Sequence, residues 1–254
     1  MTWLDPIVDF LLPSPCLACG RLRPGQAGAL GLCASCRAQL KRVAAGCRLC
    51  GRPLAARPLP LGWRCGRCRE APPPFERLVC AWTYQPPLDS VLVALKFGRL
   101  DYLAGDLGMA LAVELAAELP SPARVVPVPL HWLRRLARGY DQGAQIAAAF
   151  ADRLALPFEP ALVRRRRTRR QSELARRERL VNPRGAFQVR RGAGVEGADV
   201  ILVDDVVTTG ATLAAAAATL RRAGARSVVA VALARTPEGR MTPPRGGPGP
   251  EPSR

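Results

Sequence analysis

Two groups of residues in this chain have the types and spacing that chemistry needs. One is Asp204-Asp205 followed by Thr208-Thr209-Gly210-Ala211-Thr212. Hydroxyls and a glycine at the start of a helix make an anion cradle, because the first N–H groups of a helix are unpaired and its dipole favours negative charge. The loop has no lysine where a triphosphate-binding P-loop carries one. Two carboxylates beside such a cradle suit a ligand with both a phosphate and neighbouring hydroxyls, such as a ribose phosphate. The other group is four CxxC pairs, Cys16/Cys19, Cys33/Cys36, Cys47/Cys50 and Cys65/Cys68. Thirteen residues separate the first two pairs and fourteen the last two, which is zinc-ribbon spacing. Two tetrahedral all-thiolate zinc sites account for them, paired sequentially or interleaved. Four protein ligands leave no open coordination position, so both zinc ions are expected to be structural. In so short a segment the metal is expected to supply much of the folding free energy.

The elements that must position these groups are readable from the apolar pattern. Val200-Ile-Leu-Val203 predicts a buried strand that ends where the carboxylates begin. An alanine-rich helix follows from near Gly210 to Ala223, with Gly224 as its cap. Further strands are predicted at 77–84, 124–129 and 226–234, and helices at 88–96, 103–119 and 142–154. After the strand at 124–129 comes a loop holding Arg134, Arg135 and Arg138. Guanidinium groups bind phosphate oxygens bidentately, so this loop reads as a pyrophosphate clamp. His131, the only histidine, stands beside Trp132 and reads as packed or solvated rather than catalytic. Residues 164–191 hold twelve arginines against Glu173 and Glu178. Such charge density usually marks a solvated segment. Thr168, Gln171, Leu174, Arg179, Asn182 and Gly185-Ala186-Phe187 interrupt it at spaced positions, as in a hood that closes over an anionic ligand.

A chain of 254 residues with 48% hydrophobic content has room for one α/β domain and a small appendage. We divide it into a zinc module at 1–70, a proline-stiffened linker at 71–75, an α/β domain at 76–235, and a Pro/Gly-rich tail at 236–254 expected to be disordered. The first twelve residues suit a short helix packing Trp3, Ile7, Phe10 and Leu11 inward, or a membrane-surface helix. Cys80, the odd cysteine, reads as a core residue. No apolar run approaches the roughly 18 residues of a membrane span. The start of the chain lacks the basic residues and cleavage site of a signal peptide, so a cytoplasmic protein without disulfides is expected, with the inner membrane face as a further location. The formal charge is +18, and two zinc-tetrathiolate sites at −2 each bring it to +14. That balance favours polyanionic partners, phosphorylated ligands and single-stranded nucleic acid among them.

The run from Val200 to Leu213 resembles the phosphoribosyl-pyrophosphate (PRPP) signature of type I phosphoribosyltransferases. More of the chain resembles the ComF/GntX family of competence-associated proteins, which join a double zinc ribbon to a phosphoribosyltransferase-like domain. The shared features are the CxxC pairs, Leu95-Lys96-Phe97-Gly98, Pro127-Val-Pro-Leu130, Arg134, Arg138-Gly139-Tyr140-x-Gln142, Thr168-x-x-Gln171, Arg179-x-x-Asn182, Gly185-Ala186-Phe187 and the PRPP-type loop. The resemblance implies a parallel sheet with flanking helices and a hood, preceded by the double ribbon. It implies that Asp204 and Asp205 hold the ribose hydroxyls and stabilise charge developing during pentosyl transfer. Thr208, Thr209, Gly210, Ala211 and Thr212 would hold the 5-phosphate. Arg134, Arg138 and Lys96 would lie toward pyrophosphate bridged by Mg2+. It further implies a link to DNA uptake and its machinery. Asp141 departs from the family's usual Asn, and a charge there is expected to weaken anion binding unless an arginine pairs with it.

Overall fold

The computed structural model describes residues 14–22, 30–53, 60, 62–98, 100–120, 122–130, 136, 139–165 and 185–237. Each cysteine tetrad combines a knuckle with a short helix. The first knuckle is closed by the bridge Pro15↔Leu22 and the second by Gly46↔Pro53. Helices α1 (Ala34–Ala38) and α2 (Gly66–Glu70) begin directly after Cys33 and Cys65, which brings Cys36 and Cys68 round on one helical turn.

Four parallel strands form the main sheet: β1 (Arg77–Thr83), β2 (Arg124–Pro127), β5 (Asp199–Val207) and β6 (Ser227–Arg235). Their spatial order is β1-β6-β5-β2. Strands β3 (Leu162–Arg164) and β4 (Phe187–Val189) make a separate antiparallel pair at the base of the predicted hood. Val200–Val203 are wholly buried, as a central strand covered on both faces requires. Alternate residues feed two cores. Ile201 and Val203 join α3 (Leu88–Phe97), α4 (Leu103–Leu115) and α5 (Gln142–Arg153), while Val200 and Leu202 join α6 (Ala211–Arg222) and the β3–β4 pair. Each fully buried Leu, Ile or Val adds about 1.5–3 kcal/mol to the fold.

The connections leaving β2 and β5 diverge. From β2 the chain passes over one face through α5 and returns outside β2, where Val125 pairs with Phe158. From β5 it passes over the other face through α6 to β6, on the opposite side. Such a switch point opens a crevice beyond the carboxyl ends of the two strands, where doubly wound sheets bind ligands.

The zinc module is bonded to the sheet. Residues 41–43 run antiparallel to β1, with Thr83 N–H donating to Lys41 O at 2.8 Å and Val43 N–H to Ala81 O at 3.2 Å. Leu78 N–H donates to Leu49 O at 2.8 Å. Cys16, Leu30, Leu32 and Cys36 share the core of α3 and α4.

Candidate functional site

The acidic pair lies inside β5 and not beyond its end. The reason is β6, which pairs with β5 as far as Val207↔Arg235, so that tertiary pairing overrides the low strand preference of aspartate. On the other side, pairing with β2 stops at Pro127↔Val203. From Asp204 onward β5 therefore has a strand neighbour on the β6 side alone, and its other side borders the crevice.

Alternation along the strand sends the two carboxylates to different surroundings. Asp205 meets Lys96, whose Nζ is 2.8 Å from Oδ2, and Gln142, whose Nε2 donates to the same oxygen at 3.4 Å. Val206 N–H donates to its Oδ1 at 2.6 Å. Burial pushes the Asp205 carboxyl up, but the Lys96 ammonium and these hydrogen bonds outweigh it and hold the group below its ordinary value. Asp204 has weaker support. Its Oδ1 accepts from the Asp205 N–H at 2.9 Å, and Lys96 and Arg164 of β3 reach it through their fields. Burial and the neighbouring Asp205 charge push it up to about 7. One carboxylate is thus held ionised while its neighbour sits near the point of losing a proton at neutral pH.

Beyond Val207 the chain turns through Thr208, Thr209 and Gly210 into α6. Gly210 has φ +79°, the left-handed region that favours glycine, and a Cβ there would meet nothing nearer than Leu78 Cδ2 at 4.0 Å. The Ala211 N–H donates to the Thr209 hydroxyl at 3.3 Å, and no side chain caps the helix from Gly210. Thr208 is exposed, and Thr209, Gly210 and Thr212 are half-buried. This loop leaves β5 two residues after the acidic pair, past Val206 and Val207.

Lys96 is set by the end of α3, and the hydroxyl of Tyr140 donates to the carbonyl of Leu95 next to it. Asp141 has a different task from the one expected. Its carboxylate takes the N–H of Ala144 at 3.1 Å and of Leu130 at 3.3 Å, capping α5 and closing the loop after β2. Among the described residues, its charge is met by these backbone donors. Arg134 and Arg138 of the predicted clamp, His131, the N-terminal helix expected at 1–12, residues 166–184 of the hood and the tail from 238 lie outside the described residues.

Several contributors had no role at the site assigned from sequence. Gln142 is 2% exposed and reaches Asp205, while its Oε1 has no hydrogen-bond partner among the described residues. Arg164 stands 5.3 Å over the Phe187 ring and faces the Asp204 side. Arg67 of α2 donates to the carbonyl of Thr209 at 3.1 Å. For Gln142 the signal was its place beside Asp141 in a polar run that opens a helix. For Arg67 no sequence signal exists, since its partner is 142 residues away.

The cysteines resolve into two sequential tetrads, Cys16/Cys19/Cys33/Cys36 and Cys47/Cys50/Cys65/Cys68, with the sulfurs of each within 4.8 Å of one another. Cys19 and Cys33, like Cys50 and Cys65, have sulfurs 3.8 Å apart. A zinc tetrahedron with arms of ~2.3 Å has edges of about 3.8 Å, so the donor set fits the ion. Cys33 N–H points at Cys16 Sγ and Cys65 N–H at Cys47 Sγ, each at 3.3 Å. Burial pushes the Cys16 and Cys47 thiols up, yet such backbone donors outweigh it and hold both down at about 6. These are structural zinc sites. Among the described residues, no helix is long and apolar enough to cross a membrane.

Comparison with known proteins agrees with this geometry. Residues 7–69 match the double zinc ribbon domain and residues 140–245 the phosphoribosyl transferase domain. The DNA utilization protein YhgH of Salmonella typhi is 36% identical over 212 residues, covering 81% of this chain and 91% of that protein. Competence protein F of Haemophilus influenzae is 30% identical over 212 residues, with 81% and 90% covered. Competence protein ComFC of Bacillus subtilis is 31% identical over 209 residues, with 81% and 84% covered. A parallel sheet of the type I phosphoribosyltransferase kind joined to a double zinc ribbon is the fold of this chain.

Proposed function

The chain belongs to the ComF family, and from that premise we propose that it binds PRPP with Mg2+ at the carboxyl end of β5 in support of DNA uptake. The observation that carries this reading is the acidic pair on β5 leading, through Gly210, into the start of α6 at the switch point between β5 and β2. Asp204 and Asp205 are the acceptors for the ribose 2- and 3-hydroxyls. The N–H groups of the first turn of α6, with Thr208, Thr209 and Thr212, take the 5-phosphate. Arg134 and Arg138 complete the pyrophosphate side.

Lys96 neutralises Asp205 in the ligand-free chain, so ligand entry exchanges a lysine contact for hydroxyl and cation contacts. Mg2+, when bound, neutralises charge on the pyrophosphate. In a transfer reaction the C1–pyrophosphate bond would break through an oxocarbenium-like transition state, and the two carboxylates would stabilise the positive charge on the ribose. The acceptor would take the place of pyrophosphate at C1.

Titration calorimetry with PRPP and Mg2+ tests the reading. Wild type should give saturable heat that is lost in Asp204→Ala plus Asp205→Ala; no heat with wild type would sink it. A second reading, a single-stranded nucleic-acid binder on the cytoplasmic side of the membrane, is favoured by the net charge of +18 and twelve arginines in residues 164–191. Its affinity should fall steeply with salt and with arginines neutralised at 164–170. Affinity that ignores both changes would count against it.

A further inference from the structure

The second zinc ribbon is attached to the end of the sheet that carries the phosphate loop. Its helix α2 sends Arg67, which stands between the zinc ligands Cys65 and Cys68, to the carbonyl of Thr209 at 3.1 Å. Its knuckle is held from below by Arg235, a side chain 5% exposed whose Nη1 donates to Cys50 O at 2.7 Å. Arg235 pairs in register with Val207, and Thr236 N–H donates to Val207 O at 2.9 Å, so this arginine stands beside the residue from which the loop departs. Gly51, next to Cys50, lies so close to β1 that a Cβ would come within 2.8 Å of Leu78 O. Leu78 in turn approaches Gly210. The loop is therefore gripped at its middle by α2 and flanked at its start by a strand end bonded to the knuckle.

We propose that the second zinc ribbon is a wall of the ribose-phosphate site, with Arg67 as a positioning residue for the Thr208–Thr212 loop, so that zinc occupancy at Cys47/Cys50/Cys65/Cys68 and ligand affinity are linked. The physical basis is the short span between metal and loop. Zinc fixes Cys65 and Cys68, and thereby the turn of α2 that aims Arg67. Arg67 in turn fixes the Thr209 peptide, and with it the direction of the N–H groups that follow. Linkage is reciprocal: if zinc at this site favours ligand, ligand must retain this zinc by the same factor. The first ribbon, which packs its Leu30 and Leu32 into the core with α3 and α4, should show no coupling. The proposal takes its ligand from the ribose-phosphate reading, but the loop contact stands apart from that reading.

The test compares wild type, Arg67→Ala and Arg67→Lys as full chains. Zinc release to a colorimetric chelator is followed with and without PRPP and Mg2+. In wild type the ligand should slow release of one of the two zinc ions by about fivefold or more, the lower end of ordinary allosteric coupling. In Arg67→Ala the protection should vanish while zinc content stays at two per chain, and Arg67→Lys should restore part of it. A parallel arm without ligand measures amide hydrogen exchange at 208–212, which should be faster in Arg67→Ala than in wild type. Equal exchange in the two proteins overturns the proposal, as does ligand protection that survives in Arg67→Ala. Should wild type fail to bind PRPP while Arg67→Ala still loosens the loop, the ribose-phosphate reading fails and the positioning role of Arg67 stands.

Discussion

The two zinc ribbons share a ligand set, a spacing and a knuckle-plus-helix design, yet the chain uses them differently. In the first, Cys19 is exposed and Cys33 half-buried, and the module contributes Leu30 and Leu32 to the apolar core under α4. In the second all four cysteines are buried, and the module is bound by directional contacts: Leu49 to Leu78, Cys50 to Arg235, Arg67 to Thr209. Apolar packing tolerates small shifts, whereas hydrogen bonds to a loop carry orientation. The difference teaches that a metal motif identifies the ion and leaves open what the ion holds in place.

The largest contrast should come from ligand loss. Cys65→Ser should lower stability by more than about 4 kcal/mol, the range that loss of a buried metal site reaches. For a chain of this size that is a fall of roughly 8–16 °C in Tm. Cys19→Ser, at an exposed corner, should cost less than half as much, and scanning calorimetry with zinc analysis separates the two. Equal losses would break the distinction.

A similar inequality holds between the two aspartates. Asp204 is raised to about 7 in the folded chain from an ordinary value of 3.8. Between those values the folded state holds a proton that the unfolded state has lost, so stability falls as pH rises across that window. The slope should approach about 1.4 kcal/mol per pH unit and disappear in Asp204→Asn. Asp205 is lowered, so its contribution has the opposite sign, is present above its ordinary value and is lost as the pH falls below it. Denaturant melts from pH 4 to 8 would show the first effect. Affinity for PRPP should rise over the same interval as Asp204 ionises.

The knuckle glycines give a smaller and cleaner contrast. Gly20 and Gly51 are equivalent, with φ +72° and +62°. A Cβ at Gly20 meets nothing within 4 Å, so Gly20→Ala should cost only the left-handed strain of about 1–2 kcal/mol. At Gly51 the Leu78 carbonyl blocks the methyl group, and the combined cost should be about 2–5 kcal/mol. Urea denaturation midpoints would report both. Smallest of all should be Asp141→Asn, away from both ribbons. Asn keeps the cap on Ala144 but offers one acceptor oxygen, so the Leu130 N–H loses its partner and about 1 kcal/mol is expected, with PRPP affinity unchanged.

What the sequence made legible follows from how local each signal is. The strand through Val203 and the start of α6 near Gly210 were readable because apolar pattern and turn chemistry sit within fourteen residues. Spacing identified the eight zinc ligands but left sequential and interleaved pairing open, and the fold brings them together sequentially. The extension of β5 through Asp204 and Asp205 was hidden because it depends on β6. The strands β3 and β4 were masked by arginines, whose charge outweighs three-residue strand patterns. Asp141 opens a predicted helix, where capping of Ala144 is a local signal, whereas its bond to the Leu130 N–H spans eleven residues and is not. Docking of the second ribbon onto the Thr208–Thr212 loop joins residues far apart in the chain, and nothing local encodes it.

The antiparallel course of residues 41–43 along β1 has a bearing on how this protein can fail. β1 is an edge strand of seven residues, Arg77–Thr83, five of them apolar, and an open edge of that kind is a template for pairing with another chain. The segment joining the two ribbons covers it, through Arg42↔Trp82 and its neighbours. Zinc, by holding both ends of that segment, also keeps a sticky edge out of reach. Metal depletion should therefore appear first as self-association, in light scattering, before the α/β core has lost its secondary structure.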